Sequence, residues 1–202
     1  MNDPIRVTAI LGTYRKGGII DTAVDEILAS AKQAGAEVSK IYLIDRHIEF
    51  CTNCRVCTQQ EGESRGQCPI VDEMDDILDQ IERSDGIVLA SPMNFWTVTA
   101  VMKRFIERLI CYAYWPWRAH APKMRNRRRA RRAVVVASSA VPSLLARLLT
   151  RMVGLLKNAA RVLGARTVGV LAIGLAAGAS KQDIGERARK NARRLGKKLV
   201  SN

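Results

Sequence analysis

The sequence predicts an α/β fold: a doubly wound three-layer sandwich around a five-stranded parallel sheet with strand order 2-1-3-4-5. Three observations predict it. Five short apolar runs alternate with amphipathic stretches along the chain, which implies βαβ crossovers. The runs are near-continuously apolar rather than alternating, as in strands buried on both faces. No linker or internal repeat divides the 202 residues, so 1–202 reads as one domain large enough to bury a core.

The elements follow in order. IRVTAILG (5–12) is a β-branched run ending in Gly. In IIDTAVDEILASAKQAG (19–35), Ala23, Ile27, Ala31 and Ala34 recur at helical spacing and Gly35 is the stop. EVSKIYLID (37–45) is a second strand. After a cysteine-bearing segment, Asp72 is placed to cap DEMDDILDQIERS, a helix with Met74, Ile77, Leu78 and Ile81 on its inner face. GIVLASP (86–92) is the third strand, TAVMKRFIERLIC (99–111) the third helix and AVVVASSA (133–140) the fourth strand. A helix from about Ser143 to Leu163, a fifth strand RTVGVLAIGL (166–175) and a closing helix KQDIGERARKNARRLGKKLV complete the chain.

A hydrophobic content of 48% excludes a largely disordered chain. The N-terminus lacks a basic n-region, and no stretch reaches about 18 uninterrupted apolar residues. The expectation is a soluble, cytoplasmic protein without a transmembrane segment, where clustered cysteines serve metal or redox chemistry rather than structural disulfides. Charge is lopsided: residues 1–111 carry 12 Lys/Arg against 17 Asp/Glu, and residues 112–202 carry 21 against 2. Such a basic half suits a nucleic acid, an anionic membrane or a phosphate-bearing cofactor, or is simply a solvated surface.

In a doubly wound sheet ligands bind beyond the carboxyl ends of the strands. The loop after strand one, GTYRKGGIID (12–21), offers Thr13, Arg15, Gly17 and Gly18 before a helix N-terminus, where unpaired amides favour an anion. Its spacing is neither G-x-G-x-x-G nor the Walker pattern. After strand three, Pro92, Asn94, Phe95 and Trp96 form a polar and aromatic loop suited to a planar ring, or a cap on the core. Ser138 and Ser139 end strand four.

Together these loops resemble those of the flavodoxin-like, NAD(P)H-dependent FMN reductase superfamily. Gly12-Thr13-Tyr14-Arg15-Lys16-Gly17-Gly18 is similar to its G-S-x-R-x-x-G-N-T phosphate loop. Ser91-Pro92-Met93-Asn94-Phe95-Trp96, running on to Lys103, Phe105, Glu107 and Arg108, resembles the segment after its third strand. The resemblance implies an FMN-binding oxidoreductase with NAD(P)H as co-substrate. It assigns Thr13, Arg15, Gly17, Gly18, Ile19 and Ile20 to the phosphate, and Pro92, Met93, Asn94, Phe95, Trp96, Ser138 and Ser139 to the flavin ring. Ile19 and Ile20 depart from the family's polar pair, and Asn94 from its usual aromatic. The resemblance also implies a homodimer or homotetramer.

Four of the five cysteines lie in Cys51-x2-Cys54-x2-Cys57-x10-Cys68. The segment after strand two resembles the cysteine-containing insertion of the iron–sulfur flavoproteins. That branch implies a four-iron cluster held by Cys51, Cys54, Cys57 and Cys68. Zinc and a metal-free thiol set remain alternatives. Cys111, in an apolar helix, reads as a buried hydrophobe.

Residues 112–132 hold four aromatics, Pro116 and eight Lys/Arg without an acid. By the resemblance, this excursion is expected over the flavin or a partner subunit. Two other functions stay open: an electron carrier docking a redox partner protein on its basic half, and a flavin-less binding protein whose basic surface faces nucleic acid or membrane.

Overall fold

The chain is described here from a computed structural model, over residues 3–125, 130–144, 150–176 and 183–201. β1 (Arg6–Leu11) and β2 (Glu37–Tyr42) flank α1 (Ile19–Gln33), and α2 (Met74–Glu82) precedes β3 (Gly86–Asn94). A short β4 (Thr97–Val98) and α3 (Ala100–Arg108) follow, then a ribbon of β5 (Ala113–Tyr114) and β6 (Lys123–Met124). β7 (Arg131–Ser138), α4 (Met152–Val162), β8 (Ala165–Ile173) and α5 (Glu186–Val200) close the chain.

The five long strands run parallel in the order β2-β1-β3-β7-β8, which matches the expected 2-1-3-4-5. Their pairing is regular except for a bulge at Ala133/Val134. Because strand side chains alternate between faces, the sheet splits the core in two. Ile10, Ile87, Leu89 and Val135 pack with Met74, Ile77, Phe105 and Leu156 on one face. Val7, Leu11, Val88 and Val136 pack with Val24, Ile27, Leu195 and Leu199 on the other.

Some boundaries differ from expectation. β2 ends at Tyr42, and Leu43–Asp45 turn into a 3-10 helix. α3 likewise tightens into a 3-10 turn over Leu109–Tyr112. Three two-residue strands exist only through tertiary pairing: β4 on β3, and β5 with β6. Of the helix expected over 143–163, residues 152–162 form α4, whereas residues 145–149 lie outside the described residues. Residues 181 and 182 of the expected closing helix, and 126–129 of the basic segment, also lie outside them. α4 buries Met152, Leu156, Ala159 and Ala160. Among the described residues no helix is long and apolar enough to cross a membrane.

Candidate functional site

At the carboxyl ends of β1, β3 and β7 a cleft of about 310 Å³ opens. The glycine-rich loop supplies one wall, from Thr13 to Ile20; Pro92, Asn94, Ser138 and Ala176 supply the other. The predicted phosphate and ring loops therefore share one opening. Thr13 is buried and its Oγ1 accepts the Arg15 amide at 3.1 Å, which curls the loop. The two walls are tied together: the Thr99 hydroxyl, which caps α3, also donates to the Gly12 carbonyl at 2.5 Å. The Gly12 amide donates to Ala90 at 2.8 Å.

The glycine loop turns at Gly17, whose φ of +73° is easy only for glycine. Its amide donates to Asp21 Oδ2 at 2.5 Å. Asp21 was not anticipated as a site residue, although an acid in the first turn of a helix after paired glycines is a legible signal. Burial pushes its carboxyl up, but the Gly17 amide, Lys40 and Tyr42 outweigh burial and hold it below the usual carboxylate range.

The structure does not bring every predicted residue to the cleft wall. Phe95 and Trp96 form the two-residue turn between Asn94 and Thr97, both with positive φ (47° and 69°). That conformation, costly for bulky residues, turns them outward, 97% and 58% exposed. Met93 and Ser139 line a small neighbouring pocket with Ser138, and the Ser139 hydroxyl donates to Val141.

The cysteine segment lies between β2 and α2. Cys57 is buried, Cys54 exposed, and Cys51 and Cys68 half-buried. Burial first, then the neighbouring thiols of Cys68, Cys51 and Cys54, push the Cys57 thiol up to about 11. Cys54 is shifted the other way, lowered by hydrogen bonds from the Val56 amide and the Thr52 side chain. Among the described residues no group of three His, Cys, Asp or Glu side chains is arranged to hold one metal ion. Cys111 is buried as expected, its thiol raised to about 12 chiefly by desolvation.

Arginines close this loop. Arg108, 4% exposed, pairs at 2.6 Å with Asp72, whose side chain is 1% exposed, and reaches Cys68 Sγ at 3.5 Å. Arg125 donates to the carbonyls of Cys57 (3.0 Å), Cys111 (3.2 Å) and Gly62 (3.3 Å). Arg65 pairs with Asp79 and, at 2.8 Å, with Glu82. Arg55, in the left-handed region between Cys54 and Cys57, lies over the Trp115 ring at 3.9 Å and the Trp117 ring at 4.5 Å. Through these contacts the aromatic excursion packs on the cysteine loop.

Curated relatives match part of the chain. An iron-sulfur flavoprotein of Archaeoglobus fulgidus is 35% identical over 112 residues, 55% of this chain and 49% of the relative. One from Methanocaldococcus jannaschii is 34% identical over 104 residues, 52% of this chain and 51% of the relative. The chain spans about half the length of these curated relatives. Among solved structures, an FMN-dependent NADH-azoreductase from Bacillus anthracis in complex with FMN superposes with a TM-score of 0.69 at 13% identity. It covers 98% of this chain and 100% of its own. That likeness shows the flavodoxin-like fold. The model of the NADPH-dependent FMN reductase family matches residues 5–180, and the chain belongs to that family.

Proposed function

We propose that the chain is an FMN-dependent oxidoreductase. It takes a hydride from NAD(P)H and passes electrons to a small-molecule or protein acceptor. Cys51, Cys54, Cys57 and Cys68 are read as ligands of a four-iron cluster. The observation that carries the reading is the cleft, where the glycine-rich loop and the wall of Pro92, Asn94 and Ser138 face one opening. Family membership and the names of the curated relatives support it.

In this reading Thr13, Arg15 and the first amides of α1 hold the phosphate, Gly17 and Gly18 letting the backbone approach closely. Ile19 and Ile20 contribute backbone only, and Ile20 buries its side chain in the core. Pro92 and Asn94 border the ring with Ser138, while Met93 and Ser139 line the small pocket beside it. Phe95 and Trp96 stand at the rim, exposed, and suit a contact with a second copy in a homodimer or homotetramer. Among the described residues of the cleft, this reading assigns no side chain as catalytic acid or base. When bound, FMN supplies the two-electron chemistry that these side chains lack. The chemistry of the donors supports the cluster reading: Cys51, Cys54, Cys57 and Cys68 are four thiols of one loop, Cys57 within electrostatic reach of the other three and the Arg108 guanidinium against Cys68. Binding would have to draw them together, since among the described residues they do not surround one ion.

The test is an absorption spectrum with iron and sulfide analysis on protein purified without oxygen. Flavin bands with about four irons per chain support the reading. Flavin without iron removes the cluster, stoichiometric zinc replaces it, and a colourless chain that FMN cannot reconstitute refutes the reading. A second reading, an electron carrier, is favoured by α5, which exposes Arg187, Lys190, Arg194, Lys197 and Lys198 on one basic surface. NAD(P)H turnover with a quinone acceptor separates the two.

A further inference from the structure

Asp21 is 4% exposed, in the first turn of α1 behind the glycine loop. Its two oxygens hold different elements. Oδ2 accepts the Gly17 amide at 2.5 Å; Oδ1 accepts the Lys40 ammonium and the Tyr42 hydroxyl, each at 2.7 Å. Lys40 is held from its other side by Asp25 at 2.5 Å. One buried carboxylate therefore joins the loop, the helix and the end of β2.

This arrangement has a consequence for an anion in the cleft. With the Gly17 amide turned onto Asp21, the donors left to an anion include the amides that open α1, which have no partner a turn earlier in the helix. Ile19 and Ile20 bring no hydroxyl to that point. The grip on a phosphate then depends on the loop's shape, and that shape is fixed where Gly17, at positive φ, is pinned to Asp21. A carboxylate beside an anion site would ordinarily repel it; here the Lys40 ammonium, shared with Asp25, offsets part of that charge from behind.

We infer that Asp21 is a positioning residue of the phosphate loop, one that sets the preference of this site for a phosphorylated flavin over the bare flavin. The inference rests on the flavin reading above. All three groups on Asp21 are donors, so the isosteric Asp21→Asn must turn its own NH2 against one of them. Asp21→Ala releases all three. Tyr42→Phe removes one donor and leaves the Gly17 contact intact.

The experiment titrates the full chain, stripped of flavin, with FMN and separately with riboflavin, following the quenching of flavin fluorescence. In Asp21→Asn and Asp21→Ala the FMN Kd should rise about tenfold to a hundredfold, as expected for losing a charged hydrogen bond, while the riboflavin Kd stays within ~2-fold. Tyr42→Phe should stay near the wild type for both. Equal weakening of both flavins marks a general packing defect and overturns the inference. So does wild-type FMN affinity in both Asp21 variants. Should the alanine variant fail to fold, the asparagine variant decides alone. A wild-type chain that binds neither flavin sinks the flavin reading itself, and this inference with it.

Discussion

Gly66 is where a single methyl group should do the most damage to the cysteine loop. A Cβ there would lie 1.7 Å from the Cys57 carbonyl oxygen, 2.8 Å from its carbon and 2.9 Å from Arg125 Nη2. The oxygen contact falls about 1.3 Å short of the 3.0 Å below which real Cβ atoms are essentially never found. The neighbour is backbone, so it cannot rotate away. The two segments must separate, at the expense of the Gly66 amide bond to Cys111 (2.8 Å) and the Arg125 bonds that span both. Overpacking costs about 1–3 kcal/mol and a lost hydrogen bond about 1, so Gly66→Ala should destabilise by about 2–4 kcal/mol. For a domain of this size that is roughly 4–16 °C in Tm. Thermal unfolding followed by circular dichroism measures it, beside Gly154→Ala as the opposite case. The Gly154 Cβ meets nothing within 4 Å in α4, so that change should stabilise by about 0.5–1 kcal/mol. A Gly66→Ala protein melting within about 1 °C of the wild type would refute the packing argument.

Arg108→Met strands the Asp72 carboxylate, whose side chain is 1% exposed, and should cost about 3–5 kcal/mol by urea unfolding. The double variant Arg108→Met/Asp72→Leu should recover much of that loss; no recovery would contradict the pairing. Asp21, held below the usual carboxylate range, lends stability that is fully present above its unfolded value of about 3.9 and is lost as pH falls through the lower folded value. The stability gap between wild type and Asp21→Asn should therefore narrow on acidification below about pH 4, and a constant gap refutes the assignment. Arg55→Ala removes the guanidinium lying over two indoles, worth about 0.5–2 kcal/mol, and should shift tryptophan emission as Trp115 and Trp117 lose their partner. An unchanged spectrum would mean the stack does not persist in solution.

The three central strands were legible because each holds a run buried on both faces, such as Ile87–Ala90 and Ala133–Val136, and the half-buried edge strands β2 and β8 by their apolar and β-branched residues. The short strands were not, since two-residue pairings such as Met93–Asn94 with Thr97–Val98 arise from the tertiary contact itself. The same contact explains why Phe95 and Trp96 do not sit in the cleft wall. Their place after a strand end pointed to ring stacking. A two-residue hairpin there would ordinarily announce itself as Asn-Gly, and bulky residues at positive φ carry no such sign. The phosphate loop was legible from its glycines, whereas the pinning of Gly17 by Asp21 joins residues from α1 and β2 that periodicity treats only as helix and strand.

The cysteine loop shows the same limit and changes how the basic half of the chain is read. Its ten-residue gap is tied to α2 by its own Arg65 and held by Arg108 and Arg125 from later in the chain, so spacing alone could not say how Cys68 returns to the others. Arg125 comes from the basic segment, where a nucleic-acid surface was one expectation. Within its described part, Arg131 donates to the carbonyls of Glu82 (2.6 Å), Ser84 (3.0 Å) and Leu163 (3.2 Å), and Arg132 donates to that of Lys198. A guanidinium committed to backbone carbonyls inside the fold is poorly placed to grip a phosphate outside it. Among the described cations, Arg187, Lys190, Arg194, Lys197 and Lys198 of α5 are exposed on a helix whose apolar side, Ala192, Leu195 and Leu199, is already buried in the core. That helix has charge to offer and no apolar face to insert, which suits an acidic protein surface better than the interior of a bilayer.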